Sequence, residues 1–357
     1  MRKVSVVGGG NAGVFTALYF AWYGQDEVEL IYNPEIPPER VGQATLLDPP
    51  RMLWNATGFD WYHNQINATF KSGILYEGWG QVNDKVFHAF PADGMAMHYC
   101  PWEMQKHVLD SGVFKVVEGD VDDINSIDSD LIFDCRGKPD DYSEYEELIN
   151  PINACILGKP KWNVSDGWTF VIPTHSKSPS HDYCVGYCYN SNISSRAVAQ
   201  SNFLEMFDVQ VKHHVNFKNY VAKNAVIDDR IVLNGNRLFF LDPLESSSTQ
   251  TYIELARFVL NNGVKDASNQ VRRYIKQVQN FVLWHYNCGS KYDTPFWDYA
   301  KSLTFNDPEF DSILDSSIKS SDYDIMDQAN NNSRSGYGQW TPYAFKLWYD
   351  GMMRKEK

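Results

Sequence analysis

Long apolar runs are missing from this chain. Nowhere in its 357 residues do about 18 apolar residues follow one another, which excludes an ordinary membrane-spanning helix. Basic charge is in deficit: 32 Lys and Arg stand against 45 Asp and Glu, for a net charge of −13. A phosphate backbone is repelled by such a surface unless a local basic stripe offsets it. The one dense basic run is the terminal Met353-Arg354-Lys355-Glu356-Lys357, so a nucleic-acid binder is excluded. Cysteine is sparse, at positions 100, 135, 155, 184, 188 and 288, and no Cys-x-x-Cys pair occurs, so no metal site is expected. This usage suits a reducing compartment better than a disulfide scaffold. Cys184 and Cys188, in the strand-like Tyr183–Tyr189, are read as small buried apolar side chains. What the chain has instead is apolar and aromatic material. Hydrophobic residues reach 43%, enough for a sizeable core in about two domains, or in one large domain with an appended lobe. Aromatics reach 15% with 11 Trp, which suits an interior that stacks flat ligands, the plain alternative being an aromatic core.

The start of the chain could be mistaken for a secretory leader, with Arg2 and Lys3 ahead of an apolar stretch. Three glycines and an Asn inside that stretch argue otherwise, and a cytoplasmic location is expected. Val4–Val7 reads as a short buried strand. Gly8-Gly9-Gly10-Asn11-Ala12-Gly13 places Gly at the first, third and sixth positions of G-x-G-x-x-G. Val14–Tyr23 reads as a helix and Glu27–Tyr32 as a second strand. In that setting the loop predicts dinucleotide binding. Gly8 permits the tight turn, Gly10 lets a pyrophosphate approach the backbone, and Gly13 lets the helix sit close to the strand. The second strand ends in Tyr32-Asn33 rather than in an acid that would hold a ribose hydroxyl, which speaks against a generic NAD dehydrogenase.

Val41-Gly42-Gln43-Ala44-Thr45 follows an Ile-Pro turn, and Asn67-Ala68-Thr69-Phe70-Lys71 is followed by Gly73-Ile74 and Trp79. Phe87-His88-Ala89-Phe90, Leu131–Gly137, Gly167–Pro173, Gly235-Asn236 with Leu241–Ser246, and His285-Tyr286 with Asp293–Trp297 come next in order. Together these segments, over roughly residues 2–300, resemble the flavin-dependent halogenases of the tryptophan halogenase type. The departures are specific. Gln43 stands where the family has Glu in its Val-Gly-Glu-Ala-Thr strap, Phe170 replaces the second Trp of W-x-W-x-I-P, and Ser247-Ser248 replaces Thr-Gly.

The resemblance implies an FAD site made by Gly8, Gly10, Asn11, Ala12, Gly13, Gly42, Gln43, Ala44, Thr45, Gly235, Asn236, Leu241 and Pro243. It also implies that reduced FAD, supplied by a separate NAD(P)H-dependent flavin reductase, acts with O2 and halide as co-substrates to make hypohalous acid. Lys71 would receive that oxidant, by hydrogen bond or as a haloamine, and burial would raise its neutral fraction. Glu245 would orient the oxidant and accept the proton lost from the arene; its plain alternative is an acid at the start of a helix over Thr249–Leu260. Ser247 and Ser248 are the candidate halide site. His88, Phe90, Trp168, Phe170, Ile172 and Pro173 are the candidate substrate chamber.

The fold class that follows is mixed α/β: a glutathione-reductase-type, Rossmann-like FAD domain interleaved with a mixed sheet, plus a C-terminal helical lobe. Residues 1–265 form the core and 266–357 the lobe and a loop-rich lid. Val271, Tyr274, Ile275, Val278, Phe281, Val282 and His285 mark one helical face. Residues 303–338, rich in Asp, Ser and Asn, are read as loops. Relatives acting on free tryptophan are longer, mostly beyond residue 300, so the predicted substrate is a small phenol, indole or other electron-rich arene, with bromide or iodide used at least as well as chloride. A flavin-dependent aromatic hydroxylase and a non-catalytic flavin-binding protein are the other readings. A homo-oligomer is left open.

Overall fold

The computed structural model describes residues 1–39, 41–90, 96–158, 167–172, 185–206, 211–321 and 336–354. Lys3–Val7 is a strand whose last four residues are all buried, the pattern of a strand covered on both faces. It pairs in parallel with Glu27–Tyr32 on one side and Leu131–Asp134 on the other. The six-stranded sheet runs in the order Val226–Ile227, Ile231–Leu233, Leu131–Asp134, Lys3–Val7, Glu27–Tyr32, Lys115–Glu118. Only its first pairing is antiparallel.

Between the first strands lies the glycine loop. Gly8 has a φ of 118°, and a Cβ there would stand 2.4 Å from the Cys135 carbonyl oxygen, so the turn requires glycine. The helix Asn11–Tyr19 sits directly on this loop: a Cβ on Gly13 would lie 1.8 Å from the Gly8 carbonyl oxygen. The helix begins earlier than its apolar residues suggest and ends in a π-helical turn, Phe20–Gly24, closed by left-handed Gln25.

A second, antiparallel sheet holds Gly167–Val171, Val185–Tyr189, Ala154–Gly158 and His213–Asn216 in that order. Its two faces have different neighbours. Ile156, Val185, Tyr187 and Tyr189 pack with Ala199 and Phe203 of the helix Arg196–Met206. The alternate residues Trp168, Cys188 and Cys155 face a large cavity.

The helix Ser248–Asn262 lies on Asn11–Tyr19, turns at Gly263 (φ 81°), and is followed by the long helix Val264–Asn287. That helix buries the seven-residue stripe noted above, including His285. Each large aliphatic side chain so buried stabilises the fold by about 1.5–3 kcal/mol. One hydrophobic cluster runs from Phe15 beneath the sheet to Phe281 and Trp348, across the expected boundary at residue 265.

The loop expectation for residues 303–338 is corrected in part: Pro308–Lys319 is a helix. Asp307 caps it, its carboxylate accepting from Glu309 N and Phe310 N, and Pro308 follows at the first helical position. Composition concealed the helix because most of its polar residues face solvent and its buried residues are Phe310 and Ser317 alone. The segment Asp293–Trp297 leads into a helix, Pro295–Ser302. No helix among the described residues is long and apolar enough to cross a membrane.

Candidate active site

A single cavity of about 1040 Å³ joins most of the residues singled out in the sequence. Asn11, at the first turn of the first helix, borders it, as do Gly42, Gln43 and Ala44 of the strap. Asn236, Leu241 and Pro243 border it too, and so do Lys71, Trp168, Phe170, Ile172 and Ser248. Pro173 lies outside the described residues.

The loop end of this cavity fits a dinucleotide. The helix Asn11–Tyr19 begins at Gly10 without a side-chain cap, so its first N–H groups keep their hydrogen-bonding capacity. A Cβ on Gly10 would meet nothing within 4 Å, the open approach a pyrophosphate needs. Asn11 Oδ1 is buried and has no protein partner. Gly8, Ala12 and Gly13 shape the loop from behind rather than border the cavity. Gly235, with a φ of 64°, packs against Ala12: a Cβ there would lie 2.5 Å from the Ala12 side chain. Thr45 is turned inward and fully buried. Its hydroxyl accepts from Met97 N at 3.0 Å, so it braces the strap from beneath and does not border the cavity.

Lys71 ends the short strand Thr69–Lys71, held by pairing with Ala96–Tyr99. Its side chain is 4% exposed. The Nζ atom donates to the Thr45 carbonyl and to the Ser246 hydroxyl, each at 3.2 Å, and lies 5.2 Å from the centre of the Phe90 ring. Burial lowers its pKa from 10.5 to about 8, while the charge of Glu245 pulls it back up. His98, on the neighbouring strand and also on the cavity wall, is lowered to about 3, first by burial and then by the Lys71 charge.

Glu245 is fully buried behind this wall and does not border the cavity. Its Oε1 accepts from the Tyr76 hydroxyl and lies 2.6 Å from His285 Nε2. Its Oε2 accepts from Trp340 Nε1 at 3.2 Å. His88 Nδ1 is 3.6 Å away. Burial by itself would raise the Glu245 carboxyl, but the His285 ring holds it well below the usual carboxylate range. His285 Nδ1 lies 2.7 Å from the Phe281 carbonyl, which can only accept. Both ring nitrogens must therefore carry hydrogen while Glu245 is ionised. With Glu245 ionised the buried pair is an imidazolium facing a carboxylate; burial lowers the ring's pKa from its ordinary value, and the Glu245 charge opposes that lowering. Trp348 stacks on this ring at 3.7 Å.

The halide candidates separate. Ser248 opens the helix Ser248–Asn262, has no side-chain cap below it, and borders the cavity. Ser247 is 1% exposed and does not. Ser246 between Glu245 and this pair holds a left-handed φ of 56°. In the expected chamber, Trp168, Phe170 and Ile172 form an apolar wall, whereas His88 and Phe90 stand behind Lys71 and outside the cavity lining.

Sequence reasoning missed Tyr76, His98 and Trp340, and took His285 as part of a helical face and of the His285-Tyr286 segment without assigning it a role. None of the first three sits in a motif. Asp242, within Leu241–Ser246, was also unassigned: it is fully buried, accepts from the Tyr286 hydroxyl and from Leu244 N, and is raised to about 6 by burial. Among the described residues no group of three or more His, Cys, Asp and Glu side chains could hold a metal ion.

A family model described as Tryptophan halogenase matches residues 3–113 and 161–334. Tryptophan 7-halogenase RebH of Lentzea aerocolonigenes is 19% identical, over 85% of this chain and 80% of that protein. Tryptophan 7-halogenase KtzQ of Kutzneria sp. (strain 744) is 21% identical, over 86% of this chain and 80% of that protein. Among solved structures, the tryptophan 5-halogenase MibH superposes with a TM-score of 0.80 at 17% identity, covering 100% of this chain and 86% of that one. BrvH, a flavin-dependent halogenase from Brevundimonas sp. BAL3, superposes with a TM-score of 0.76 at 16% identity, covering 99% and 90%.

Proposed function

The chain belongs to the tryptophan halogenase family, and on that premise we propose that it oxidises halide ion to hypohalous acid with reduced FAD and O2 and passes the oxidant through Lys71 to an electron-rich arene. An arene and a halide ion are both nucleophiles, so the halide must be oxidised first. Bound reduced FAD supplies the electrons that activate O2 for that oxidation. Gly10 and Asn11, on a loop shaped from behind by Gly8, Ala12 and Gly13, would hold the dinucleotide phosphates, with Gly42-Gln43-Ala44 and Asn236, Leu241 and Pro243 along the rest of the group.

The observation that carries this reading is that one cavity joins Asn11 to Lys71. A diffusible oxidant made at one end can reach the amine within the same cavity. A lysine with a pKa near 8 is partly neutral at physiological pH and can accept the halogen or hydrogen-bond the oxidant. Glu245, sealed behind the wall, acts on Lys71 through its charge rather than by touching oxidant or arene. Ser248 and the helix start beside it are the part of the expected halide site that borders the cavity. Trp168, Phe170 and Ile172 select the arene by apolar contact, worth only about 1–3 kcal/mol per methylene, so several phenols and indoles are accepted. Bromide and iodide, which are easier to oxidise, serve at least as well as chloride.

The test is a panel of phenols, indoles and free tryptophan with FAD, a flavin reductase and each halide in turn, read by product mass. Halogenated phenol or indole is expected. Oxygenated product in place of halogenated product would identify a hydroxylase, and absence of both product and oxygen consumption a flavin-binding protein without catalysis.

A further inference from the structure

Cys155 and Cys188 stand directly opposite each other on the antiparallel strands Ala154–Gly158 and Val185–Tyr189. Both border the cavity that contains Lys71. On its other side Cys188 is opposite Trp168, so an indole and two thiols form one row across the wall. Gly186, two positions along the same face, leaves room for Phe170 to lean over the sheet: a Cβ there would lie 2.3 Å from that ring and 2.9 Å from Cys155 Sγ. Both thiols are free, and their exposures are 7% and 1%. Directly opposed residues in an antiparallel pair have Cα atoms about 4.5–5.5 Å apart, inside the range of about 4.4–6.8 Å that a disulfide spans. Burial first, and the Cys155 thiol beside it, hold the Cys188 thiol well above its ordinary pKa. Cys188 therefore stays protonated and slow toward ordinary electrophiles. The other described cysteines, Cys100, Cys135 and Cys288, do not border the cavity.

We propose that Cys155 and Cys188 are an oxidant-quenching dithiol: hypohalous acid that escapes Lys71 within this cavity converts the pair to a disulfide instead of attacking Trp168. The proposal rests on the reading of this cavity as a source of hypohalous acid. In the first step one sulfur donates an electron pair to the halogen. An S–X bond forms, the O–X bond breaks, and the leaving hydroxide takes the thiol proton as water. In the second step the other sulfur attacks the first. The S–S bond forms, the S–X bond breaks, and halide leaves with the second thiol proton. One hypohalous acid and two thiols thus give one disulfide, one halide with its proton, and one water. The sulfurs are oxidised by two electrons and the halogen is reduced to halide.

The test uses the full chain with FAD, a flavin reductase, NAD(P)H, bromide and catalase, without arene. The protein is then trapped with N-ethylmaleimide under denaturing conditions and its peptides are weighed. The expected result is joint loss of label at Cys155 and Cys188, a linked peptide pair lighter by two hydrogens, reversal by dithiothreitol, and no change when bromide is omitted. A parallel arm adds reagent hypobromite directly to the FAD-loaded protein. Reagent that leaves both thiols labelled, or that consumes Cys100, Cys135 and Cys288 first, would overturn the proposal. A bridge that forms with reagent but not in the bromide reaction would leave the dithiol standing and sink the reading of the site as a source of hypohalous acid. In Cys155→Ala, bromine at Trp168 after reagent is expected to rise several-fold over wild type; an unchanged level would show that the thiols do not shield the indole.

Discussion

The Lys71 amine donates to the hydroxyl of Ser246 at 3.2 Å, across a separation of 175 residues, and Ser246 adjoins the buried Glu245. This contact ties the amine to the loop that also carries Leu241, Pro243 and the helix start at Ser248. It places a cation where burial opposes charge. The energetic consequence has a definite sign. With a pKa of about 8 in the fold against an ordinary 10.5, the unfolded chain holds a proton between those values that the folded chain does not. Stability therefore rises with pH through that window, and below pH 8 the full cost of about 3 kcal/mol is present.

Lys71→Met is expected to abolish halogenation while leaving FAD affinity within about two-fold, since Lys71 lies away from the glycine loop. The same variant should be more stable than wild type at pH 7 by about 1–3 kcal/mol, with the gain shrinking as pH rises from 8 toward 10.5. Urea unfolding at pH 7 and pH 9, with product mass on the same samples, checks both halves. Equal stability differences at the two pH values would contradict a buried, depressed lysine.

Gly10→Val and Gly13→Val should fail in different ways. A side chain on Gly10 meets no protein atom within 4 Å, so that variant folds with near-normal stability but binds FAD at least ten-fold more weakly. A side chain on Gly13 would collide with the Gly8 carbonyl oxygen, so overpacking destabilises the fold itself by at least about 1–3 kcal/mol. Flavin fluorescence titration together with thermal unfolding separates the two outcomes.

His285→Gln and Glu245→Gln should move the ionisation of Lys71 in opposite directions. Loss of the imidazolium leaves the Glu245 charge uncompensated, which raises the lysine pKa. Loss of the carboxylate removes the attraction that raises it now. Shifts of about one unit are expected at this depth. Tyr76, His88 and Trp340 also face Glu245, and His98 lies on the cavity wall beside Lys71, so the variants retain those groups. The measurement is the pH dependence of Lys71 acetylation by acetic anhydride, read by mass. Shifts of the same sign would remove His285 as the counter-charge of Glu245.

Asp307→Ala should cost about 2–4 kcal/mol with little effect on FAD affinity. Asp307 accepts from Glu309 N and Phe310 N as a helix cap, and its other oxygen accepts from the Tyr337 hydroxyl at 2.5 Å and from Asn280 Nδ2 at 3.0 Å. Asp307→Ser keeps the cap and should recover about 1 kcal/mol, as thermal unfolding of the two variants would show.

The opening βαβ unit was legible in the sequence because its determinants are local. A buried strand, a glycine loop and a second strand lie within the first 32 residues, and the collisions that demand Gly8 and Gly13 involve the loop itself and Cys135 just past the adjoining strand. The stripe on Val264–Asn287 was legible for the same reason, since helical periodicity records which face is buried. The position of Lys71 was marked only by its segment's resemblance to a family; its burial comes from pairing with Ala96–Tyr99 and from Ser246. The partners of Glu245 were not legible at all. Tyr76, His285 and Trp340 reach it from separations of 169, 40 and 95 residues, and no periodicity connects positions that far apart. Cysteine pairing shows the same limit: nearness in the chain drew attention to Cys184 and Cys188, whereas sheet register sets Cys155 opposite Cys188. Burial of apolar surface is non-directional and can be read from pattern, but which polar groups meet inside depends on how finished sheets and helices dock, and only the tertiary structure decided that.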